Sequence, residues 1–433
     1  MKRAWHKSTR LNFEYRDRDI ELVSWSRIKK IPPPSDAIED YEDESGWWVI
    51  LSDEQGDVVY RQIIHNPIRV DKELFSYGNE EGVRWEIPDA AEQHGDFSVL
   101  VPDIPVATHL SIYGSFEEDD VSVPSWEVLS LELGLENLEL DTETMAAPRD
   151  LEEGRLIGIT KLVDNGSSTE KWNIVLLSEG YRDSEIPDFH GHSEGFISKL
   201  KATHPFTELW NLVNVYLVNV ASIDSGIADP RNPQDNPRTY FDARFYNFAS
   251  NDRLIVANQD LALLVARQNV PEYNLAMMIV NTELYGGSGG TVAVFSAHPQ
   301  SAKIGIHEMG HSGFGLADEY EYAGSNGLIG KRYAGQPRSE ANIATSIERA
   351  RLKWGHLIVE EDEIPFFRNP NCNDFSPKPP SHLAGKVGAF EGAFHHHCGV
   401  YRPEAFCIMR SLGHNSFCKV CGNRIRKIIS SNF

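Results

Sequence analysis

Two histidines and a glutamate at residues 307–311 form the part of the sequence best suited to chemistry. His307 and His311 are four residues apart, so a helix places them on one face, one turn apart. At that spacing two imidazoles can bind one Zn²⁺ at about 2.0–2.1 Å. Glu308 follows the first histidine, where its carboxylate can accept a proton from a water molecule at the ion. The spacing therefore predicts a zinc centre with a general base.

The residues on either side of this motif predict where its helix begins and ends. Ser301 is of a type that caps helix N-termini. Gly313 and Gly315 follow the second histidine, and glycine readily ends a helix in a sharp turn. A catalytic zinc takes three protein ligands and keeps one open position. Asp318, after the turn, is the predicted third ligand, and Glu319 is the second choice. The alternative is a surface helix that ends at a glycine cap.

Two further features bear on the zinc site. In the metzincin pattern a glycine lies three residues after the second histidine and the third ligand lies six after it. Here Gly315 lies four residues and Asp318 seven residues after His311, so the string is one residue longer. Met409, within residues 407–411, is interpreted as a Met-turn that forms an apolar floor under the ligands. The alternative is an ordinary core methionine.

A glycine-rich segment precedes the motif. Residues 283–290 contain four glycines, and β-branched residues alternate along 291–296, which predicts a strand. An edge strand at this place can bind a peptide by strand addition. The alternative is a loop and strand with no binding role. No Gly-Lys-Ser/Thr follows, so the segment is not a phosphate-binding loop.

The string His-Glu-Met-Gly-His with Gly315 and Asp318-Glu319-Tyr320 resembles the signature of the IgA-peptidase family of zinc metalloendopeptidases. Residues 177–185 resemble the segment that opens the family's catalytic domain, although Ser-Glu stands at 178–179, where an Asp is more usual. Residues 407–410 and 417–421 resemble its C-terminal signatures. The resemblance covers about residues 155–433 and implies a metzincin-like α/β fold, one catalytic Zn²⁺ and hydrolysis of protein or peptide substrates. It does not imply that immunoglobulin A is the substrate.

Two other functions stay open at this point. One is a non-catalytic binding or adhesion protein with a degenerate peptidase fold, and the other is a zinc hydrolase of a non-peptide amide. The presence of Glu308 favours an enzyme over a binding protein, because an inactive site does not need a general base. Tyr320, Tyr322 and His414 are candidates for stabilising an oxyanion, but such residues more often have structural roles.

Composition limits the partners. Among 433 residues, 64 are Asp or Glu and 41 are Lys or Arg, which gives a net charge of −23. Nucleic acid is excluded as the main partner because phosphate binding needs a basic face. No stretch is long and apolar enough to span a bilayer. Residues 1–7 lack an apolar leader, which favours the cytoplasm, whereas the family resemblance favours export.

The cysteines cluster near the C-terminus. The pair Cys418-x-x-Cys421 is consistent with half a zinc site, a redox pair or a short disulfide. The run His395-His396-His397 is typical of a solvated loop, but it can also supply ligands to a second zinc. A disulfide in this segment is expected if the protein is exported. The five cysteines are Cys372, Cys398, Cys407, Cys418 and Cys421.

The order of strand-like and helix-like segments predicts the domains. Residues 1–115 are predicted as an all-β, immunoglobulin-like sandwich, 116–154 as an acidic linker and 155–433 as an α/β catalytic domain. A hairpin turn is predicted at 53–57, and another at 164–166 between strands at 156–160 and 173–177. Further strands are predicted at 20–25, 47–51, 58–63, 97–101, 109–113, 214–220 and 276–280, and helices at 188–200 and 260–267.

Overall fold

A computed structural model describes most of the chain. The described residues are 8–38, 41–68, 72–75, 83–86, 94–115, 117–118, 121–122, 124–133, 150–232, 234, 236–246, 254–321, 332–373 and 379–430. The basic stretch 1–7, much of the predicted acidic linker and Tyr322 lie outside them.

The N-terminal part of the chain is built from strands. The strands are β1 (Ser8–Arg16), β2 (Asp19–Ile28), β3 (Trp47–Ser52), β4 (Val58–Ile64), β5 (Lys72–Phe75), β6 (Val83–Glu86), β7 (His94–Pro102), β8 (His109–Gly114), β9 (Glu117–Glu118), β10 (Val121–Ser122) and β11 (Trp126–Glu132). Along β7 the side chains of Phe97, Val99 and Val101 are buried, the two-residue period of a half-buried strand. The hairpin predicted at 53–57 is confirmed, because β3 and β4 pair antiparallel around it.

Two sheets of this region enclose one apolar core. Among the described strands, β2-β1-β7 form one sheet and β11-β8-β3-β4 the other. Leu11, Val49 and Ile112 are among the core side chains they share. Trp47 and Trp48 are both buried and therefore do not form an exposed binding platform. Strand β11 lies inside the segment predicted as a linker. The immunoglobulin-like topology and the domain boundaries stay predictions.

The C-terminal part mixes strands and helices. Its strands are β12 (Asp150–Leu151), β13 (Gly154–Val163), β14 (Trp172–Glu179), β15 (Val213–Ser222), β16 (Arg244–Phe245), β17 (Ile255–Val256), β18 (Leu275–Val280), β19 (Gly287–Ser288), β20 (Ala293–Ser296), β21 (Phe390–Ala393) and β22 (His396–Arg402). Its helices are α1 (Ile186–Ala202), α2 (Phe206–Leu209), α3 (Gln259–Asn269), α4 (Ala302–Phe314) and α5 (Lys419–Ser430).

A mixed sheet with the strand order β12-β13-β15-β14-β18-β20-β19 forms the centre of this part. Strands β15, β14, β18 and β20 are mutually parallel, and β19 closes the edge antiparallel. Along β14, Ile174 and Leu176 pack towards α1, α4 and α5, whereas Val175 and Leu177 pack towards α3. Helices cover both faces, which explains why every residue of β14 is buried and why residues 174–177 are an unbroken apolar run.

The hairpin predicted around 164–166 is wrong. Strands β13 and β14 do not pair with each other, because β15 lies between them. The connecting turn is held instead by the start of β15. Asn165 donates its backbone N–H to the Asn214 side chain and its own side-chain N–H groups to the carbonyls of Trp210 and Val213. These contacts come from residues about 45–50 positions away, so the local turn pattern did not reveal them.

Buried polar contacts join the N-terminal region to the C-terminal part. Asp36 accepts hydrogen bonds from Arg424 on α5, one of them at 3.0 Å, and from Lys427 at 3.0 Å. Arg10 donates to the Tyr273 carbonyl, and Lys30 donates to the carbonyl of Ser168. The segment between β2 and β3 is thereby held next to the C-terminal end of α4, since Arg424 also donates to the carbonyl of Phe314.

Candidate active site

Helix α4 carries the predicted motif and is buried on almost every side. Ile304, Ile306 and Met309 belong to the core beneath the sheet. Ser301 stands at the N-cap, but its hydroxyl makes no capping bond and instead bonds Ser296 and the Gly286 amide. The side-chain cap expected from Ser301 is therefore absent.

The helix ends where the glycines predict. Gly315 has φ 60° and ψ 36°, a left-handed conformation that favours glycine. Its amide donates to His311 at 2.8 Å, and the Leu316 amide donates to Gly310 at 3.0 Å, which closes the helix end. The chain therefore turns back, and residues 316–321 run alongside the histidines.

The turn brings Asp318 to both histidines. Asp318 Oδ1 lies 3.2 Å from His307 Nε2 and 3.1 Å from His311 Nε2, and the two Nε2 atoms are 3.2 Å apart. Two nitrogens bound to one tetrahedral zinc at about 2.0–2.1 Å are about 3.3 Å apart. The three atoms thus have the separations that such an ion requires, and all three side chains are buried.

Hydrogen bonds on the far side of each ring fix the direction of these nitrogens. His307 Nδ1 lies 3.0 Å from the Ile408 carbonyl, and His311 Nδ1 lies 2.7 Å from the Leu316 carbonyl. A carbonyl can only accept, so each Nδ1 carries a proton, and the Nε2 atom of each ring faces the shared point. Metal-binding histidines are commonly oriented in this way.

The carboxylate at this point is held in its charged form. Burial by itself would raise the pKa of Asp318, but His311 and His307 lower it well below its ordinary value. The negative charge of Asp318, buried beside two ring nitrogens, would favour the binding of a cation at this site. Glu308 is also buried, next to His307 on the same helix.

The hairpin of β21 and β22 adds a third histidine. His395 Nε2 lies 3.6 Å from Asp318 Oδ2, and the backbone amides of Phe394 and His395 donate to the carbonyls of Asp318 and Tyr320. The solvated-loop interpretation of this run is wrong for His395, which is 7% exposed. Phe394 and His395 have positive φ values of 46° and 62°, which a sequence pattern does not indicate.

Two aromatic contacts complete the surroundings. The Tyr320 ring lies 5.1 Å from the His395 ring and 6.4 Å from the His307 ring, measured between centroids. From the N-terminal region, the His65 ring lies 4.8 Å from the His311 ring. His65 lies in the loop after β4, and no local signal in the sequence identified it. His414, another candidate for oxyanion stabilisation, packs on Phe406.

Met409 lies against the helix that carries the histidines. A Cβ placed on Gly310 would overlap the Met409 sulfur and come 3.0 Å from its Cε. The Met409 carbonyl accepts the Glu319 amide at 2.9 Å, so the same turn holds the strand of chain that contains Asp318. Met409 is completely buried. Its interpretation as a Met-turn stays a prediction.

Glu319, the second choice for a zinc ligand, contacts a different set of residues. Its Oε1 lies 3.0 Å from Cys421 Sγ and 2.9 Å from the Asn342 amide nitrogen. Of the two neighbouring carboxylates, the structure therefore brings Asp318 to the histidines and Glu319 to a group of cysteines.

Two other predicted elements have structural partners instead. The strand predicted at 291–296 contains β20, which is not an edge strand because it pairs with β18 on one side and β19 on the other. The outer edge of β19 in turn forms a bridge between Gly287 and Leu254, and Ser288 Oγ donates to the Ile255 carbonyl. In the segment 177–185, the Glu179 carboxylate accepts the backbone amides of Phe241 and Ala243. Glu179 thus fixes a loop at the end of β14.

A His-Glu-x-x-His helix followed by a glycine turn and a carboxylate is the pattern of a class of peptidases. Residues 160–376 and 379–429, more than half of the chain, match the sequence model of the family described as IgA Peptidase M64. The chain therefore belongs to the IgA peptidase M64 family, which confirms the resemblance and makes it a member of a peptidase family. A comparison with curated proteins finds no match.

Among the described helices, none has the length and apolar character needed to cross a membrane.

Proposed function

We propose that the protein is a zinc-dependent endopeptidase whose zinc ligands are His307, His311 and Asp318. The observation that carries this proposal is the convergence of two Nε2 atoms and one carboxylate oxygen, all within 3.2 Å of one another. The donor set fits zinc, since imidazole and carboxylate are ordinary zinc ligands and three of them leave a position open. A protein or peptide is the substrate class that the peptidase family favours.

The side chains divide the work of hydrolysis. Zn²⁺ at these ligands would supply Lewis acidity, which polarises the scissile carbonyl and makes water more acidic. Glu308 accepts the proton of the attacking water and delivers it to the leaving amine. The Nδ1 bonds of His307 and His311 keep both rings in one orientation, and His395 supports the far oxygen of Asp318.

The same arrangement supports a metzincin-like catalytic domain. The glycine turn returns the third ligand to the two histidines, and Met409 lies under the helix, as in the metzincin pattern. The one-residue-longer spacing of Gly315 and Asp318 is accommodated in the turn. For the N-terminal strands we propose an immunoglobulin-like sandwich that packs beside the site, where His65 reaches His311.

The decisive variant is Glu308→Gln, which keeps the shape of the side chain and removes its basicity. We expect kcat on a peptide library to fall by about 10²–10⁴-fold while the bound zinc is retained. Glu194→Gln on the exposed side of α1 is the matched control and should leave kcat unchanged. Cleavage should also stop with a chelator and return with added Zn²⁺.

The outcomes separate the alternatives. Full peptidase activity in Glu308→Gln would remove the proposed general base. Zinc binding without cleavage of any peptide would favour the binding protein or the hydrolase of a non-peptide amide. Cleavage that a chelator does not affect would contradict the metal-dependent mechanism.

A further inference from the structure

Three cysteines and a glutamate form a second buried cluster beside the candidate active site. The cluster consists of Glu319, Cys407, Cys418 and Cys421, and their ligand atoms all lie within 4.8 Å of one another. Each of these residues is at most 3% exposed. They come from three separate parts of the chain: the segment after α4, the Met409 turn and the start of α5. We call these four residues the thiol cluster.

The carboxylate in the thiol cluster lacks the partners that usually justify its burial. Glu319 Oε1 accepts hydrogen bonds from the Asn342 side chain and from the Cys421 thiol, but Oε2 accepts none from any described residue. A buried, half-satisfied carboxylate beside three sulfur atoms is costly unless a cation compensates it.

The separations fit a tetrahedral metal site. Cys407 Sγ and Cys421 Sγ are 3.9 Å apart, and Glu319 Oε1 lies 3.7 Å from Cys418 Sγ and 3.0 Å from Cys421 Sγ. Two sulfurs bound to one zinc at about 2.3 Å are about 3.8 Å apart. The Cys418-x-x-Cys421 spacing is also the usual one for two ligands of a structural zinc.

The other cysteines do not compete for this cluster. Cys372 and Cys398 form a disulfide with each other, and His395 lies against Asp318. The cluster therefore differs from the second zinc site considered from the sequence, which drew on the histidine run. An odd number of adjacent thiols cannot all be oxidised to disulfides within the cluster, and a metal protects all three in a compartment where Cys372–Cys398 forms.

We infer that Glu319, Cys407, Cys418 and Cys421 bind a second ion, a thiolate-preferring divalent metal of which Zn²⁺ is the best fit, in a closed structural site. Four protein ligands leave no open position, which distinguishes a structural site from a catalytic one. On binding, the three thiols and the carboxyl group release their protons. The ion then fixes Glu319 and Cys407, and through them the adjacent Asp318 and the Met409 turn.

Metal and thiol analysis of the wild-type protein tests this inference directly. We expect about two zinc equivalents per chain after dialysis in a zinc-free buffer. A thiol reagent should modify the three cysteines of the thiol cluster only after a strong chelator has removed the metal. Immediate modification of all three thiols without zinc loss, or a disulfide between any two of them by mass spectrometry, would overturn the site.

Single-site variants separate this ion from the proposed catalytic one. Cys421→Ser should reduce zinc by about one equivalent and lower the melting temperature, whereas His311→Ala should remove the other equivalent and leave the three thiols protected. The paired control Cys372→Ser/Cys398→Ser changes sulfur outside the cluster and should keep both equivalents. A Cys421→Ser protein with undiminished zinc contradicts the inference, and if it does not fold the wild-type thiol assay decides. Loss of peptidase activity in His311→Ala with retained thiol protection shows that the two proposals stand or fall separately.

Discussion

Asp318 and Glu319 are neighbours in the chain, yet their carboxylates enter two different clusters. Asp318 meets two imidazole nitrogens, and Glu319 meets three sulfurs. The first set has three ligands and suits an ion with an open position, whereas the second has four and suits a closed site. Two adjacent residues of the chain therefore belong to clusters of different composition, for which we propose a catalytic and a structural role.

The turn at 407–411 takes part in both clusters. Its Ile408 carbonyl orients the His307 ring, and its Cys407 belongs to the thiol cluster. The Met409 carbonyl accepts the amide of Glu319. The chain next to Asp318 is therefore held by a segment roughly ninety residues further along the sequence, and the thiol cluster joins this segment to α5.

Isosteric amides at the two carboxylates give the largest expected contrast. Asp318→Asn should lower kcat/KM by on the order of 10³-fold, because it weakens a proposed ligand of the catalytic ion, with little change in melting temperature. Glu319→Gln should instead destabilise the fold by on the order of 2–3 kcal/mol and lower kcat/KM much less. Steady-state kinetics and thermal unfolding on both variants check this. Matching losses of activity and stability in the two variants would mean that the clusters do not have separate roles.

Much of the histidine site could be predicted, because its signals are local. The motif, the glycine turn and Asp318 lie within twelve residues of one another. The thiol cluster joins residues as many as 102 positions apart, so cysteine spacing indicated a half-site but could not identify Glu319 as a partner. His395 was misjudged because its burial depends on a hairpin with positive φ at two non-glycine residues. The hairpin predicted at 164–166 was wrong because β15, which comes later in the chain, lies between β13 and β14.

A second contrast concerns how α5 is held at its two sides. Cys421 belongs to the thiol cluster, whereas Arg424 and Lys427 pair with Asp36 of the N-terminal region. Asp36→Asn leaves the buried Arg424 charge without its partner and should cost about 3 kcal/mol of unfolding free energy. Asp103→Asn, which breaks a more exposed ion pair with Arg27, is the control and should change stability by less than about 1 kcal/mol.

The Asp36 contribution should also depend on pH in a defined direction. Burial opposes ionisation, but Arg424 and then Lys427 keep the pKa of Asp36 below its ordinary value. A depressed folded-state pKa gives stability that is present above the unfolded value of about 3.9 and is lost as pH falls through the folded value. Unfolding measured from about pH 6 to pH 3 should show the wild type approaching the Asp36→Asn variant at the acid end. A constant difference across that range would contradict the ion pair as its source.

Within the histidine site, a smaller effect is expected from the residue behind Asp318. His395→Ala removes the ring 3.6 Å from Asp318 Oδ2 and should lower kcat/KM by about 10–100-fold, the usual effect of losing support for a metal ligand. The neighbouring His396→Ala is the matched control, since its ring packs on Tyr333. If His395 positions Asp318, the His395→Ala variant should also retain zinc less well than the His396→Ala variant. Equal zinc retention and equal kinetics in the two variants would exclude a positioning role for His395.

The smallest expected effect tests the contact between α4 and the Met409 turn. Gly310→Ala adds a methyl group against the Met409 side chain, and the overlap should outweigh the better helix propensity of alanine by about 1 kcal/mol. Gly191→Ala makes the same change in α1, where the added Cβ meets nothing within 4 Å, and should stabilise by about 0.5–1 kcal/mol. Both variants gain the same helix propensity, so the difference between their unfolding free energies measures the effect of the overlap with Met409. If Gly310→Ala also stabilised the protein, α4 would not rest on Met409 and the turn could not serve as the floor of the site.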